Sequence, residues 1–188
     1  MTCFKVCILS AGCLLLVHCA SKTRAVPSAV PFYNHGVNLQ EAGNLEDAVA
    51  AYTRALEIDP LFVDALVNRG NIYMDQGDLY EAIEDYSRAL ALSPDHIVAY
   101  LNRSSAYARE GDLDSAIEDL TAAIVIKPDF ASAYFNRGIV WMARKEYDQA
   151  IADFTKAADL DPSRKSAAAE KIKICLLKKK AKSTREPE

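Results

Sequence analysis

The amino-acid sequence predicts an all-α solenoid of four helix–turn–helix units, closed at its C-terminal end by a further helix. The first observation is a repeat, because the stretch AIEDYSRALALSPD that begins at Ala82 returns as AIEDLTAAIVIKPD from Ala116. Related stretches begin at Ala48 and Ala150, so the four copies start at one constant spacing. The second is composition, since 51% hydrophobic and 26% charged residues suit a folded domain. A repeat of this length predicts stacked units that share one continuous core.

The first 25 residues are predicted to form a leader that directs export. Lys5 precedes an apolar run from Val6 to Ala20, and these 15 residues are fewer than the roughly 20 that span a bilayer as a helix. Three outcomes are open: secretion after simple cleavage, lipid attachment at Cys19, and retention as an uncut anchor. We therefore expect an exported protein of the periplasm or cell envelope, which contacts a membrane only through such a lipid or anchor.

Cysteine and histidine placement favours a protein without a metal or a catalytic centre. Four of the five cysteines lie in the leader, so the mature chain keeps Cys175 alone and cannot form a disulfide framework. The three histidines stand apart from residues that would complete a zinc site, and the sequence has no glycine-rich phosphate loop. We expect no metal, no cofactor and no enzymatic activity.

Charge is divided unevenly along the chain. Residues 29–164 include 23 acidic and 11 basic residues, whereas the segment from Lys165 onward has 8 basic and 3 acidic residues. An acidic body is unsuited to the phosphates of nucleic acid, which require a basic surface. Nucleic-acid binding is therefore not expected, and contact of the basic C-terminal tail with lipid is left open.

Each predicted unit opens with a helix that has one apolar face. Large residues seven positions apart mark this face. In unit order they are Phe32 and Leu39, Leu66 and Tyr73, Tyr100 and Tyr107, and Tyr134 and Trp141. A small residue between them allows another helix to pack closely. These small residues are Gly36, Gly70, Ser104 and Gly138.

A turn follows the first helix. In three units it begins with a glycine that suits the left-handed helix end, namely Gly43, Gly77 and Gly111. The next residues are predicted N-caps of the second helix, namely Asn44, Asp78 and Asp112. Asp78 and Glu81 also have the spacing of a capping box. The fourth unit has Lys145 and Glu146 instead, so its turn is expected to be the most strained.

The second helix has two alanines seven positions apart on one face. They are Ala48 and Ala55, Ala82 and Ala89, Ala116 and Ala123, and Ala150 and Ala157. A large residue lies between them, namely Tyr52, Tyr86, Leu120 or Phe154. Small alanines let a neighbouring helix approach, and a proline then stops the helix. The prolines are Pro60, Pro94, Pro128 and Pro162.

Units two to four share a charged pair that the first unit lacks. The arginines Arg69, Arg103 and Arg137 are each followed, at one constant spacing, by an aspartate, namely Asp85, Asp119 and Asp153. The first unit has His35 and Ala51 at these places. This co-occurrence predicts that the arginine reaches the aspartate of its partner helix. An exposed pair of this kind contributes about 0 to 1 kcal/mol to stability.

Residues 165–188 are predicted to contain a capping helix and a basic tail. Ala168, Ile172, Cys175 and Leu176 follow helical spacing, so they can cover the exposed face of the last unit while the lysines stay in water. An open solenoid needs such a cap. The tail beyond Leu177 is expected to fray.

The period, the small residues, the alanine pairs and the proline together resemble the tetratricopeptide repeat, a helix–turn–helix unit of about 34 residues. The resemblance covers four units, 29–62, 63–96, 97–130 and 131–164. With the leader, the chain resembles exported bacterial members of the family, lipoproteins included. The resemblance implies a right-handed superhelical solenoid whose first helices line a concave surface.

On that surface the resemblance places a groove for a peptide. Its apolar row is Tyr33, Val67, Leu101 and Phe135, and its asparagine row is Asn34, Asn68, Asn102 and Asn136. Asn71, Arg109 and Met142 complete the predicted groove. Asparagine both donates and accepts hydrogen bonds, so such a row can pair with the backbone of an extended segment. The alternative is that the asparagines only tie neighbouring units together.

A carboxylate clamp is not expected. Family members that bind the C-terminal carboxylate of heat-shock chaperones place lysines and an arginine around two asparagines. Asn71 and Asn102 match, but Val67, Ser132 and Asn136 stand where the positive charges belong. The implied function is a monomeric, non-catalytic adaptor that binds a peptide segment of an unidentified protein in the cell envelope. A structural assembly factor that self-associates through its outer face is the alternative.

Overall fold

A computed structural model describes residues 28–183, with side chains described to residue 181. The predicted leader, with Cys19, lies outside the described residues. The α-helices are α1 (Val30–Glu41), α2 (Leu45–Ile58), α3 (Val63–Gln76), α4 (Leu79–Leu92), α5 (Ile97–Glu110), α6 (Leu113–Ile126), α7 (Ala131–Ala143), α8 (Tyr147–Leu160) and α9 (Lys165–Ser183). A 3-10 turn, Pro162–Arg164, precedes α9. Over the described residues the all-α solenoid is confirmed.

The helices keep the period of the sequence. The odd-numbered helices α3, α5, α7 and α9 begin at Val63, Ile97, Ala131 and Lys165, each one repeat length after the last. Each helix packs chiefly on the helices before and after it in the chain. Helix α9 therefore begins where the first helix of a fifth unit would begin, and it packs on α8.

Within a unit, a ring from the second helix lies directly on the small residue of the first helix. A Cβ atom added to Gly36 would lie 2.7 Å from the ring of Tyr52, and one added to Gly138 would lie 2.9 Å from the ring of Phe154. The third unit has Leu120 in place of a ring, and here Ser104 replaces the glycine. Ser104 is buried, and its Oγ donates to the carbonyl oxygen of Leu101 over 2.7 Å. The exchange of glycine for serine thus accompanies a smaller partner side chain.

The turn of the fourth unit is strained, as predicted. The glycines of the other three turns have φ angles of 79°, 90° and 96°, which glycine adopts at little cost. At the equivalent place Lys145 has a φ of 67°, and it is the one non-glycine residue with positive φ in the described part of the chain. A side chain in this conformation costs roughly 1 to 2 kcal/mol.

All three predicted N-cap residues precede the second helices as expected, but only one of them makes a capping side-chain hydrogen bond. Asp112 accepts a hydrogen bond from the backbone N–H of Ser115 over 3.1 Å and another from its hydroxyl over 2.6 Å. Asn44 and Asp78 also occupy the N-cap place, as predicted, but neither side chain makes a capping hydrogen bond, so the capping box of Asp78 is wrong. The second unit has Glu81 at the place of Ser115. A carboxylate has no proton to donate to the Asp78 side chain, and its negative charge repels that of Asp78.

Helix α9 covers the end of the solenoid. Ala168 and Cys175 are buried, in one cluster with Ala150 and Phe154 of α8, and Ile172 packs against this cluster. Burial raises the pKa of the Cys175 thiol, an effect that the charges of nearby lysines partly offset. Leu176 does not join the cluster and is 53% exposed, so its prediction as a capping residue is wrong. No helix in the described range is both long and apolar enough to cross a bilayer.

Candidate functional site

Three buried ion pairs run along the solenoid. The guanidinium of Arg69 donates to both carboxylate oxygens of Asp85, over 2.8 and 2.7 Å. The pairs Arg103 with Asp119 and Arg137 with Asp153 repeat this geometry. The predicted pairing is therefore confirmed, but the aspartates are buried rather than exposed. In each pair the hydrogen bond to the carboxylate raises the pKa of the arginine.

Each of these arginines also binds the preceding unit. Nη1 of Arg69 donates to the hydroxyl of Thr53 over 2.8 Å, and the other two arginines make the same contact with Ser87 and Thr121. One side chain thus joins the two helices of its own unit to the second helix of the unit before it. These groups satisfy one another, and the aspartates among them are buried, so they serve the scaffold. The described residues contain no cluster of side chains suited to a metal ion.

A concave pocket of about 460 Å³ opens between the first three units. Its lining residues are Gln40, Asn71, Met74, Asp75, Tyr86, Asn102 and Ser105. All except Tyr86 come from the first helices α1, α3 and α5. We call the surface formed by α1, α3, α5 and α7 the groove, and the pocket lies in it.

The central asparagines tie neighbouring units together. Nδ2 of Asn68 donates to the hydroxyl of Tyr33 over 3.2 Å, and Nδ2 of Asn102 donates to Oδ1 of Asn71 over 2.7 Å. Oδ1 of Asn71 also accepts from the hydroxyl of Tyr86 over 2.8 Å. The structure therefore supports the alternative of inter-unit ties for these residues.

These ties leave part of each amide unused. Oδ1 of Asn71 accepts two bonds, but its Nδ2 donates to no described residue, and Oδ1 of Asn68 and of Asn102 accepts from none. Asn34 and Asn136 form no side-chain hydrogen bond within the described range. The asparagine row thus keeps donors and acceptors that a bound backbone can use.

The predicted apolar row is mostly packed inside the solenoid. Val67 is 6% exposed within the core of the first units, so its prediction as an accessible groove residue is wrong. Tyr33 packs on Phe62 with ring centroids 4.7 Å apart, and Phe135 packs on Phe154 at 5.3 Å. Leu101 packs beside the core of α6. Each of these side chains lies against the next helices of the stack, which the sequence pattern could not distinguish from facing a ligand.

Two basic residues lie at the groove, and both are engaged. Nη1 of Arg109 donates to the backbone carbonyl of Met74 over 2.6 Å. Arg164, which sequence reasoning missed, lies over the ring of Phe135 at 5.5 Å. It donates to the hydroxyl of Ser132 over 2.8 Å and pairs with Asp161. Its place in the connection before α9 gave no periodic signal that could have revealed it.

The apolar groove surface lies at the fourth unit. Met142 occupies the place that Met74 has in the pocket, and it packs partly against the cluster of α8 and α9. Ile139 occupies the place of Asn71 and is 39% exposed. The groove therefore has more polar side chains at the first three units, and Ile139 and Met142 make it more apolar at the fourth.

These features define a protein of stacked helical repeats, and the comparisons specify which. Models described as tetratricopeptide repeat match residues 33–97 and 131–164, and one described as TPR repeat matches 105–143. Together they span most of the described residues. The chain belongs to the tetratricopeptide repeat family. No curated protein sequence matches it.

Solved structures share the fold over most of the chain. A crystal structure of the MamA protein is 26% identical with a TM-score of 0.69, over 85% of this chain and 96% of that one. A TPR protein of Thermus thermophilus, TTC0263, is 27% identical with a TM-score of 0.61, over 77% and 81%. The first TPR of Spaghetti (RPAP3), bound to the HSP90 peptide SRMEEVD, is 27% identical with a TM-score of 0.58, over 61% and 90%.

Alanine substitutions can distinguish the asparagines that tie neighbouring units together from those that form no side-chain hydrogen bond. Changing Asn68 and Asn102 together to alanine should lower the free energy of unfolding by about 1 to 3 kcal/mol, because each loses a hydrogen bond worth about 0.5 to 1.5 kcal/mol. Changing Asn34 and Asn136 together should leave it unchanged. Urea unfolding of the two double variants measures the difference. Equal stability of both would contradict the role of the central pair as ties.

Proposed function

We propose that the protein is a non-catalytic adaptor that binds an extended segment of another protein in the groove. Proteins of this family bind protein or peptide partners, and the fold relative described above is bound to a peptide. The observation that carries the proposal is the pocket at the first three units. There, two asparagine side chains that are already held in place still offer the unused amide donor of Asn71 and the unused carbonyl acceptor of Asn102. Groups held before binding lose little entropy when a ligand arrives.

The proposal does not extend to a clamp for an acidic C-terminus. Val67 and Asn136 remain neutral where that clamp has positive charges. Arg164 reaches Ser132, but its charge is paired with Asp161. A peptide such as SRMEEVD should therefore bind this groove weakly.

Photo-cross-linking from single positions tests the groove. A photoreactive residue at Ile139, in the groove, should capture a partner protein in native cells. The same residue at Tyr80, which is 72% exposed on the second helix α4, serves as the matched control and should capture none. Capture from Tyr80 alone would contradict groove binding.

Self-association through the outer face is the second candidate. It is favoured by exposed apolar side chains on the second helices, Tyr80 and Val125, the latter 74% exposed. Sedimentation of the purified chain decides between the two. The adaptor should be a monomer when its groove is empty, whereas an assembly factor should associate as its concentration rises.

We further propose that the protein acts in the cell envelope after export, on the basis of the apolar leader in the sequence. Intact-mass analysis of the native protein should show loss of the leader, with or without an added lipid mass. After denaturation one thiol, Cys175, should react, since the other four cysteines lie within the leader. A full-length chain that keeps Met1 and fractionates with the cytoplasm would contradict export.

A further inference from the structure

Two carboxylates of the groove have no partner among the described residues. Asp75 lines the pocket, and Glu41 occupies the same place one unit earlier. The pKa of Tyr86 is raised by burial first and also by the charge of Asp75. Burial is the main cause that raises the pKa of Tyr52, and a hydrogen bond with Asn68 opposes it. The charge of Glu41 makes a smaller contribution that also raises this pKa. Both carboxylates therefore lie near tyrosines whose hydroxyls hydrogen-bond to first-helix amides, Gln40 and Asn71.

The cations of the groove do not balance these charges. Arg109 binds the neutral carbonyl oxygen of Met74, so its positive charge remains and offsets one of the two carboxylates, whereas Arg164 is paired with Asp161. Residues 29–164 as a whole include 23 acidic and 11 basic residues, and the three inter-helix pairs use equal numbers of both, so the acidic excess remains. The polar end of the groove thus has an uncompensated negative charge, which attracts a positively charged ligand.

The other end of the groove is apolar. Ile139 and Met142 present apolar surface at the fourth unit, and the exposed Leu176 follows Met142 by one repeat length in α9. Asp75 and Met142 are two units apart along the stack. Packed helices lie about 8 to 10 Å apart, so two units span roughly 20 Å. An extended chain covers this distance in about six residues.

We propose that the groove binds a protein segment with a lysine or arginine at the carboxylate of Asp75, where Glu41 one unit earlier adds to the negative charge, and an apolar side chain about six residues away at Ile139 and Met142. This rests on the proposed function and adds the chemistry of the partner. The segment runs along the asparagine row, which pairs with its backbone. The positive charge of the segment makes the groove prefer it to neutral or acidic segments. Its apolar side chain excludes water at the fourth unit.

Selection from a random library of amidated nonapeptides tests this chemistry. The full chain should enrich peptides with a lysine or arginine and, about six residues away, a large apolar residue. For a selected peptide, the variant Asp75→Asn should weaken binding by about fivefold, the upper range for one exposed ion pair. Added salt should weaken the native complex more than that of the variant. Asp129→Asn removes an exposed acid outside the groove and should have no effect.

The outcomes separate the inference from the proposed function. Enriched peptides that lack a cation, or a cation preference unchanged by Asp75→Asn, would overturn the inference while leaving groove binding intact. Enrichment of nothing above the background of uncoated beads would overturn both. Loss of affinity for a lysine peptide but not for its glutamine counterpart in Asp75→Asn is the result that supports the pairing.

Discussion

Replacing Asp119 by alanine is expected to lower the free energy of unfolding by about 3 to 5 kcal/mol, the usual cost of leaving a buried charge without its partner. Asp119 is 4% exposed and accepts two hydrogen bonds from Arg103, over 2.8 and 2.7 Å. After the substitution the guanidinium of Arg103 keeps one hydrogen bond, to the hydroxyl of Ser87. It also keeps its contacts with the rings of Tyr100 and Tyr107. The loss therefore exceeds that of an exposed ion pair by several kcal/mol.

Glu118→Ala is the matched control, because Glu118 is the exposed neighbour of Asp119 on the same helix and has the same charge. Its free energy of unfolding should change by less than about 0.5 kcal/mol. Denaturant unfolding of both variants gives the comparison. If Asp119→Ala lost no more than Glu118→Ala, the buried pair would not hold the units together.

Undocking of α9 is expected to have the second largest effect. Ala168→Glu places a carboxylate in the contact between α9 and α8, beside Phe154. Burial of a side chain as large as phenylalanine contributes about 1.5 to 3 kcal/mol, and the packing of Ile172 and Cys175 is lost with it. We expect a total loss of about 3 kcal/mol or more and association of the chain through the uncovered face.

Cys175 reports this undocking directly. In the native chain its thiol is buried, and burial raises its pKa, so it should react slowly with a thiol reagent. In Ala168→Glu the reaction should be many times faster under native conditions. Ala169→Glu, on the exposed side of α9, should react as slowly as the native chain. Equal rates in the two variants would show that α9 is not a cap.

Much of the fold could be read from the sequence because the repeat constrains it several times over. A small residue, an alanine pair and a proline return in every unit at one fixed period, so an error in reading one unit is corrected by the other three. The pairing of Arg103 with Asp119 was predictable for this reason. Its burial was missed, because the pair was considered within one unit, whereas Ser87 of the preceding unit also binds Arg103. The signal was present, since Ser87 precedes Arg103 by the same interval that separates Arg103 from Asp119.

The groove was less predictable than the fold. Position in the repeat identifies the helix face, but it does not tell whether Val67 meets a ligand or the neighbouring unit, because both environments favour an apolar residue. For Asn102 the sequence could not tell whether the side chain binds a neighbouring unit or stays available to a ligand. In the structure its Nδ2 binds Asn71 of the preceding unit, and its Oδ1 stays available. Arg164 lies between regular helices, so its approach to Phe135 depends on how the chain enters α9.

The central claim is that a bound segment lies on the first helices, and the side-chain amide signals of the asparagines test it most directly. Proton–nitrogen spectra of the labelled chain should be recorded while a library-selected peptide is added. We predict that the signals of Asn71 and Asn102 shift with the peptide, and that the signal of Asn44, in the turn between α1 and α2, does not. Shifts confined to backbone amides of the second helices, with Asn71 and Asn102 unmoved, would contradict the account.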